Sequence, residues 1–451
     1  MIHKFEFDGT KLVLDVHSGA LHLVDEITWS LLDDYKLLTR EQLIDKYSQK
    51  YPSDELEGSL KEIDQAVKQG LLFSSDPLET GYQPAQSVIK ALCLHVAHDC
   101  NLRCRYCFAG QGPFGGDRSL MSFETGQAAI DFLIKQSGSR KNIEIDFFGG
   151  EPLLNFKVVQ QLVDYGTQKA SLANKKIKFT LTTNALLLNE EIEQYLIEHG
   201  ISAVLSLDGR KEVHDQMRPT ARGGGSYAQV LKNIKRFVEK DPPGGYYIRG
   251  TYTRHNLDFC QDLIHLIDQG FKDISVEPVV AGPEHDYSLR SEDLDTLREQ
   301  YKQLTDKIYS MYQEGKEINF FHFNVDLEGG PCLAKRLSGC GAGHEYMAVT
   351  PDGSLYPCHQ FVGQPQFKIG DVRSPELNQG VMAQYKEAHV YNKSSCRACW
   401  AKFLCSGGCH ANAYAFNKTL LEPHSLGCEL AKIRLECALY LKAKQYENRG
   451  N

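Results

Sequence analysis

Three closely spaced cysteines decide the interpretation of this sequence, in the stretch HDCNLRCRYCF at residues 98–108. Cys100, Cys104 and Cys107 directly follow an apolar run at 91–98 that predicts a buried strand. Ligands collect at the carboxyl ends of strands in parallel α/β folds, so this position predicts a metal site. Three thiolates are one fewer than a closed zinc site or a fully ligated four-iron cluster needs. Two interpretations follow: an iron cluster with one open iron, or a zinc site completed by His98.

Repeated units of a strand followed by a helix extend from this stretch. Strand-like runs at 91–98, 143–148, 176–183, 203–207, 246–253 and 273–278 alternate with helical patterns at 123–136, 157–172, 190–199, 227–239 and 258–269. A further helical pattern covers 291–315, and the chain beyond it shows little regular pattern. Such alternation predicts a parallel sheet covered by helices, and six units are fewer than the eight of a closed barrel. We therefore expect an α/β fold with a partial (β/α)6 TIM-like barrel over residues 88–315.

Residues 1–80 predict a separate winged-helix-like domain. Short strands at 4–7, 12–15 and 20–24 precede helical patterns at 25–34, 39–47 and 53–70, and a linker-like segment follows at 74–87. This domain holds 8 Lys and Arg against 16 Asp and Glu, a balance that repels nucleic acid. Two roles stay open for it: recognition of a peptide through an exposed strand edge, and a purely structural appendage.

The composition fits an ordinary globular protein of 451 residues, 42% of them hydrophobic and 24% charged. Its 58 acidic and 50 basic residues give a net charge of −8, which argues against a globally basic nucleic-acid binder. The sequence has no apolar run of about 18 residues and no apolar export signal at its start, which predicts a cytoplasmic protein without a membrane partner. Its 14 cysteines should therefore stay reduced, and those that cluster indicate metal binding.

A second group of cysteines crowds the last quarter of the chain and predicts a second metal region over 330–440. It comprises Cys340, Cys358, Cys396, Cys399, Cys405, Cys409 and Cys428. Zinc or iron could occupy such spacings. Cys93, Cys260 and Cys437 stand apart and are expected to be buried core thiols.

The first cysteine stretch and the strand ends that follow it resemble the signature of the radical S-adenosylmethionine (SAM) enzymes. Phe108 follows the third cysteine, and the second, third and fourth strands end in the motifs FGGEP at 148–152, TN at 183–184 and SLDG at 206–209. A further motif, HDQMRP at 214–219, supplies an arginine that could pair with the methionine carboxylate. The resemblance implies an open [4Fe-4S] cluster on Cys100, Cys104 and Cys107 that binds SAM. It also implies a set of SAM-contacting residues: Phe108, Gly149, Gly150, Glu151, Asn184, Ser206, Asp208 and Arg218. Glu151 would add negative charge near the methionine ammonium, and the two glycines would let the backbone approach it.

The cysteines of the last quarter are similar to the SPASM domain, an extension of radical SAM enzymes that modify peptides and proteins. The resemblance implies two auxiliary [4Fe-4S] clusters, and thus three clusters in total. One would take Cys396, Cys399, Cys405 and Cys428, and the other would take Cys340, Cys358 and Cys409. Two closed clusters need eight thiolates, so Cys332 supplies the eighth or a substrate thiolate fills an open position.

Residues 95–122 are similar to the SCIFF maturases, radical SAM enzymes that act on a small cysteine-rich precursor peptide. This resemblance implies a thioether between a Cys sulfur and the α-carbon of another residue, Thr in that family. The adenosyl radical would remove the α-hydrogen, the thiolate would bond to that carbon, and the auxiliary cluster would accept the remaining electron. The expected partners are the precursor with its leader segment, held by the N-terminal domain, and a flavodoxin-like or ferredoxin-like electron donor.

Other functions stay open beside this one. Sulfatase maturases carry Asp directly after the second SPASM cysteine, whereas this chain has His359 there, which we expect to be a surface histidine. Peptide epimerisation and a non-enzymatic iron-sulfur regulator are further alternatives. The sequence identifies no catalytic base. Arg249, Tyr252 and Glu277 lie near strand ends, where they could face a peptide or serve structural pairing.

Overall fold

The computed structural model describes residues 1–76, 78, 81–84, 88–327, 333–374 and 376–450. Cys332 and the expected domain boundaries at residues 80 and 330 lie outside this part of the chain. No helix of the described part is long and apolar enough to cross a membrane.

The N-terminal unit is a small antiparallel sheet with three helices. Its strands β1 (Ile2–Phe7), β2 (Thr10–Asp15) and β3 (Leu21–Leu23) are hydrogen-bonded in the order β1-β2-β3. Its helices are α1 (Glu26–Asp34), α2 (Arg40–Tyr47) and α3 (Ser53–Lys68). Asp25 caps α1 and Thr39 forms a capping box with Gln42, which explains why both helices begin where the sequence predicts. Val13 of β2 packs with Leu31 and Leu56 in a core of this unit's own.

The central part alternates parallel strands with helices, as the sequence predicts. Its elements are β4 (Ala91–Ala97), α4 (Phe123–Gln136), β5 (Asn142–Gly149), α5 (Phe156–Leu172), β6 (Lys176–Thr183), α6 (Glu190–Glu198), β7 (Ser202–Ser206), α7 (Lys211–Met217), α8 (Tyr227–Val238), β8 (Tyr246–Tyr252), α9 (Phe259–Asp268), β9 (Asp273–Pro278) and α10 (Leu294–Gln313). Neighbouring strands from β4 to β9 pair in parallel. The α/β partial barrel is confirmed. Helix α7, which the sequence did not predict, occupies the segment before Arg218.

The expectation of little regular structure beyond residue 315 was wrong. Ten further elements follow: β10 (Asn319–Phe320), α11 (Leu333–Ser338), β11 (Tyr346–Val349), β12 (Ser354–Tyr356), β13 (Gly370–Asp371), α12 (Gln379–Glu387), α13 (Ser394–Arg397), α14 (Lys402–Cys405), α15 (His410–Asn417) and α16 (Ser425–Gly450). β10 extends the sheet beyond β9, and β11 pairs in parallel with β4, so the strand order is β10-β9-β8-β7-β6-β5-β4-β11-β12-β13. The added strands are too short to show alternation in the sequence.

The last helix joins the N-terminal unit to the rest of the chain. Leu439 and Tyr440 of α16 pack against Phe5 of β1 and Leu12 of β2, on the sheet face opposite α1 to α3. A buried ion pair adds to this contact, since Lys402 Nζ lies 3.1 Å from Asp76 Oδ2. The apolar residues of α16 contact several partners around its circumference, which explains why no single apolar face marks it in the sequence.

Candidate cluster sites and inner face of the barrel

The first cysteine group lies in the loop after β4. Cys100, Cys104 and Cys107 are all half-buried. Burial, followed by the Glu151 carboxylate, raises the pKa of the Cys100 thiol to about 12. Burial also raises the pKa of Cys104 to about 11, against an opposing effect of Arg218. Thiols of this kind stay protonated at neutral pH on their own, so a bound metal would be needed to hold them as thiolates.

Gly149 and Gly150 bring the end of β5 against the backbone that leads into this loop. The Gly150 N–H donates to Ala97 O at 2.8 Å, and the Glu151 N–H donates to Asp99 O at the same distance. A Cβ atom at Gly149 would lie 2.2 Å from Ala97 O, and one at Gly150 would lie 2.2 Å from Asp99 O. The missing side chains make room for backbone, so the glycines set the path of the cysteine loop. Their expected approach to the ammonium of SAM stays a prediction.

Glu151 connects the end of β5 to the end of β6. Its buried carboxylate accepts hydrogen bonds from Thr183 Oγ1 at 2.7 Å, the Asn184 N–H at 2.8 Å and the Leu153 N–H at 3.0 Å. Burial raises the pKa of Glu151 to about 7, although these three donors act in the opposite direction. Asn184 in turn points Nδ2 at Cys100 Sγ, 3.7 Å away. Glu151 therefore positions the asparagine that contacts the first cysteine.

Asp208 and Arg218 form an internal pair beside the second cysteine. Arg218 Nε lies 3.0 Å from Asp208 Oδ2, and the Asp208 side chain is fully buried. The Thr251 N–H donates to Asp208 Oδ1 at 3.0 Å, and the Tyr106 hydroxyl donates to Oδ2. Asp208 balances the charge of Arg218 here. The expected contact of Arg218 with the methionine carboxylate stays a prediction. Ser206, the last residue of β7, lies half-buried at the same edge of the sheet.

Two histidines near the first site differ from the sequence expectation. His98 turns away from a metal-ligand role and hydrogen-bonds to His95, with 3.1 Å between Nε2 and Nδ1. His359, expected at the surface, is half-buried, with its ring stacked on Phe148 at a centroid distance of 5.1 Å and tilted against Phe108 at 5.2 Å. Burial, followed by the charge of Arg249, lowers the pKa of His359 to about 4, so it is neutral at pH 7. The aromatic contact places the residue after Cys358 next to the exposed Phe108.

The inner face of the curved sheet carries charged residues, of which the sequence predicted Arg249 and Glu277 but not Asp146. Asp146 of β5 interacts with Cys93 and with Arg249 of β8. Its Oδ1 atom is buried without a hydrogen-bond partner in the described part of the chain. Burial raises the pKa of Asp146 to about 7, although Cys93 and Arg249 act in the opposite direction. The sequence signal for Asp146 was a charged residue within the strand-like run 143–148.

The two other residues predicted near strand ends differ in their surroundings: Glu277 faces a cavity, and Tyr252 is buried in the core. Glu277 lines a cavity of about 430 Å³ that also reaches Cys405, Cys409 and Cys428. Its carboxylate lies 3.1 Å from His322 Nε2. Burial opposes ionisation, yet His322 and Arg249 hold the pKa of Glu277 down at about 2. Tyr252 is fully buried, with its hydroxyl 3.1 Å from that of Tyr301.

The second cysteine group separates into two sets. Cys396, Cys399, Cys405 and Cys428 line one cavity of about 560 Å³. Cys340, Cys358 and Cys409 lie within electrostatic range of one another, and two of them, Cys340 and Cys409, are exposed. Cys93, Cys260 and Cys437 are buried, as expected. The structure groups these thiols as the resemblance implied, and their roles as cluster ligands stay a prediction.

The thiols of these sets surround space rather than converge on one point. Among the described residues, no three Cys, His, Asp or Glu side chains are close enough together to bind one metal ion. A single zinc needs four ligands at about 2.0–2.3 Å from one atom, whereas a four-iron cluster takes each thiolate on a different iron. The four thiols that line one cavity match the number of thiolates that a closed four-iron cluster needs.

Two family matches agree with these sites. Residues 88–232 match the family described as a 4Fe-4S single cluster domain, and residues 340–400 match SPASM, described as an iron-sulfur cluster-binding domain. The first model covers the region that holds Cys100, Cys104 and Cys107, and the second begins at Cys340 and includes Cys358, Cys396 and Cys399.

Similar proteins of known sequence include one without an assigned role and one named enzyme. An uncharacterized protein, MJ0907, of Methanocaldococcus jannaschii is 35% identical over 190 residues, which cover 42% of this chain and 62% of that protein. A cysteine-type anaerobic sulfatase-maturating enzyme of Clostridium novyi is 25% identical over 335 residues, covering 70% of this chain and 86% of the enzyme.

Solved structures share the fold at low sequence identity. Native anSMEcpe with bound AdoMet and Cp18Cys peptide has a TM-score of 0.64 and 21% identity, covering 80% of this chain and 99% of that one. Streptococcus suis SuiB bound to precursor peptide SuiA has a TM-score of 0.54 and 17% identity, covering 94% and 98%. The likeness to SuiB includes most of the N-terminal unit.

Proposed function

We propose that this chain is a radical SAM peptide maturase that joins a cysteine sulfur to the α-carbon of another residue, a threonine by resemblance to the SCIFF maturases. Its substrate is a small cysteine-rich precursor peptide, and a flavodoxin-like or ferredoxin-like protein supplies the reducing electron. The observation that carries the proposal is the grouping of Cys340, Cys358 and Cys409 in a set that holds three thiols among the described residues. Cys332 lies outside that part of the chain, and a set with three thiols would leave a place for a thiolate of the substrate.

The proposed roles fall to two groups of residues: those in and around the cysteine loop after β4, and charged side chains on the inner face of the sheet. Cys100, Cys104 and Cys107 would hold the [4Fe-4S] cluster that binds SAM. When the cluster and SAM are both bound, SAM supplies a 5′-deoxyadenosyl radical. Gly150 fixes the path of the cysteine loop, and Glu151 positions Asn184 against that loop. Asp146, Arg249 and Glu277 provide charged groups that would bind the peptide on the inner face of the sheet.

The test is anaerobic incubation of the reconstituted protein with SAM, a strong reductant and a small cysteine-rich peptide that also contains threonine. We expect the peptide to lose two hydrogens and to keep every sulfur, with tandem mass spectrometry locating the link between a Cys and an α-carbon. A variant with Cys100, Cys104 and Cys107 all replaced by alanine should leave the peptide unchanged. Cleavage of SAM with an unaltered peptide mass would refute the thioether assignment.

Formylglycine-type oxidation is the second candidate function. The 25% identity to a cysteine-type sulfatase-maturating enzyme across 86% of its length favours it. His359 at the position where those enzymes carry Asp counts against it, since the neutral ring packs between Phe108 and Phe148. The same mass spectrum distinguishes the two, because oxidation of cysteine to formylglycine removes the sulfur atom.

The N-terminal unit offers a free strand edge for the leader segment. β3 pairs with β2 alone among the described strands. Ala20 O and the Val24 N–H bond to β2, so the alternating pattern turns the backbone groups of Leu21 and Leu23 outward. Leu23 is 40% exposed at this edge. An extended leader would add here as a fourth strand.

Replacing Leu23 with proline should weaken leader binding by at least about tenfold, because proline removes an outward N–H from the edge. Leu23→Ala is the matched control, since it shortens the side chain but keeps the N–H, and it should bind more tightly than the proline variant. Fluorescence anisotropy with a labelled leader segment measures both affinities, and circular dichroism checks the fold. Equal affinity of the two variants would contradict binding at this edge.

A further inference from the structure

A lysine ammonium lies buried among the cysteines of the last quarter. The Lys393 side chain is fully buried, with a relative exposure of 0%. Its Nζ donates one hydrogen bond, to Gly407 O at 2.7 Å. Gly407 lies between Cys405 of the four-thiol set and Cys409 of the three-thiol set. The lysine itself lies three residues before Cys396.

The charge of Lys393 lacks a carboxylate partner in the described part of the chain. The other cations near the cysteines have partners: Lys402 pairs with Asp76 at 3.1 Å, Lys432 pairs with Glu429 at 2.8 Å, and Arg434 donates to His322 at 2.8 Å. An isolated ammonium in a protein interior is strongly destabilising unless a negative charge compensates it. The groups around Lys393 that can become negative are thiols. Burial lowers its pKa, while Cys396, Cys405, Cys409 and Cys428 act in the opposite direction.

We propose that Lys393 is the counter-charge of the two auxiliary cluster sites and raises their reduction potentials. It is a positioning and tuning residue, not a catalytic one. A [4Fe-4S] cluster with four thiolates carries net negative charge, and a nearby buried cation favours adding one more electron. The inference rests on the proposed function, in which these sites hold clusters and one of them accepts an electron from the substrate. Without the charge of Lys393, transfer of an electron from the substrate to the auxiliary cluster becomes less favourable.

The test compares full-length variants in a background where Cys100, Cys104 and Cys107 are alanine, so that only auxiliary clusters remain. Lys393→Met removes the charge at similar volume, and Lys393→Arg keeps the charge. Lys432→Met is the matched control, because Lys432 lines the cavity of the four-thiol set but is partly exposed and pairs with the solvent-facing Glu429. Iron analysis measures cluster content, and a redox titration followed by electron paramagnetic resonance gives the midpoint potentials.

We expect Lys393→Met to make reduction of an auxiliary cluster at least tenfold less favourable, a downward shift of about 59 mV for one electron. Lys393→Arg should stay close to the parent, and Lys432→Met should shift the potential less than Lys393→Met, because solvent screens a partly exposed charge. Loss of auxiliary iron in Lys393→Met with full iron in Lys393→Arg would equally support charge compensation.

Two outcomes would overturn the inference without overturning the proposed function. The first is an unchanged potential in Lys393→Met with full iron content, and the second is loss of iron in both Lys393 variants, which would make its role one of packing. A parent protein that binds no auxiliary iron at all would instead overturn the proposed function and the inference with it, so the two failures are distinguishable. The parent should bind about eight irons per chain.

Discussion

Replacing Gly150 with alanine should abolish SAM cleavage and remove the first cluster while the auxiliary iron stays bound. The added Cβ would lie 2.2 Å from Asp99 O and 2.7 Å from Asp99 C, both backbone atoms just before Cys100. Neither can move without shifting the cysteine loop, and overpacking of this kind costs about 1–3 kcal/mol. Iron analysis should show a loss of about four irons per chain, and chromatography should detect no 5′-deoxyadenosine.

Gly58→Ala is the matched control for this substitution. Gly58 lies within α3, where a Cβ would meet no atom within 4 Å. Alanine is the better helix former by about 0.5–1 kcal/mol, so this variant should keep its clusters and its cleavage activity and unfold at a slightly higher temperature. Full cleavage by Gly150→Ala would show that the loop tolerates displacement and would refute the positioning role of the glycine.

Replacing Asp208 with asparagine should destabilise the protein by about 3–5 kcal/mol, because it leaves the Arg218 guanidinium with an uncompensated charge in the interior. Asp208 is fully buried and accepts from the Thr251 N–H and the Tyr106 hydroxyl as well. We expect a lower unfolding temperature and a large loss of SAM affinity, since Arg218 and Tyr106 flank the second cysteine. Thermal denaturation and equilibrium dialysis with SAM measure the two effects.

Asp286→Asn is the control, since it breaks another Asp–Arg pair near the same loop. Its carboxylate is 61% exposed and lies 2.9 Å from Arg105 Nη2. An exposed pair of this kind contributes about 0–1 kcal/mol, so stability should change little. An Asp208→Asn variant as stable as Asp286→Asn would contradict the structural importance of the buried pair.

The strands and helices of the barrel could be predicted because their signals are local. The runs at 176–183 and 273–278 coincide with β6 and β9, and the pattern at 123–136 coincides with α4. Each run is long enough to show its own periodicity, and turn residues bound it. β11 and β13 gave no such signal, since a strand of two to four residues is stabilised by its neighbours in the sheet.

The roles of single polar residues depended on the surroundings that the fold creates. His359 looks like a surface residue in the sequence, yet the fold stacks it on Phe148 from a strand more than two hundred residues earlier. Asp146 and Lys393 give no motif, and their importance comes from burial and from the charges brought near them.

The sequence by itself determined which cysteines are candidate cluster ligands, because ligand type and close spacing are properties of a short segment. Cys100, Cys104 and Cys107 with the glycine motif at 148–152 resemble the radical SAM signature without knowledge of the fold. Only the tertiary structure decided which distant groups share one environment. It placed four thiols of the last quarter around one cavity and a lysine ammonium between the two cysteine sets. The physical reason is that burial and electrostatic compensation act between atoms close in space, whatever their separation along the chain.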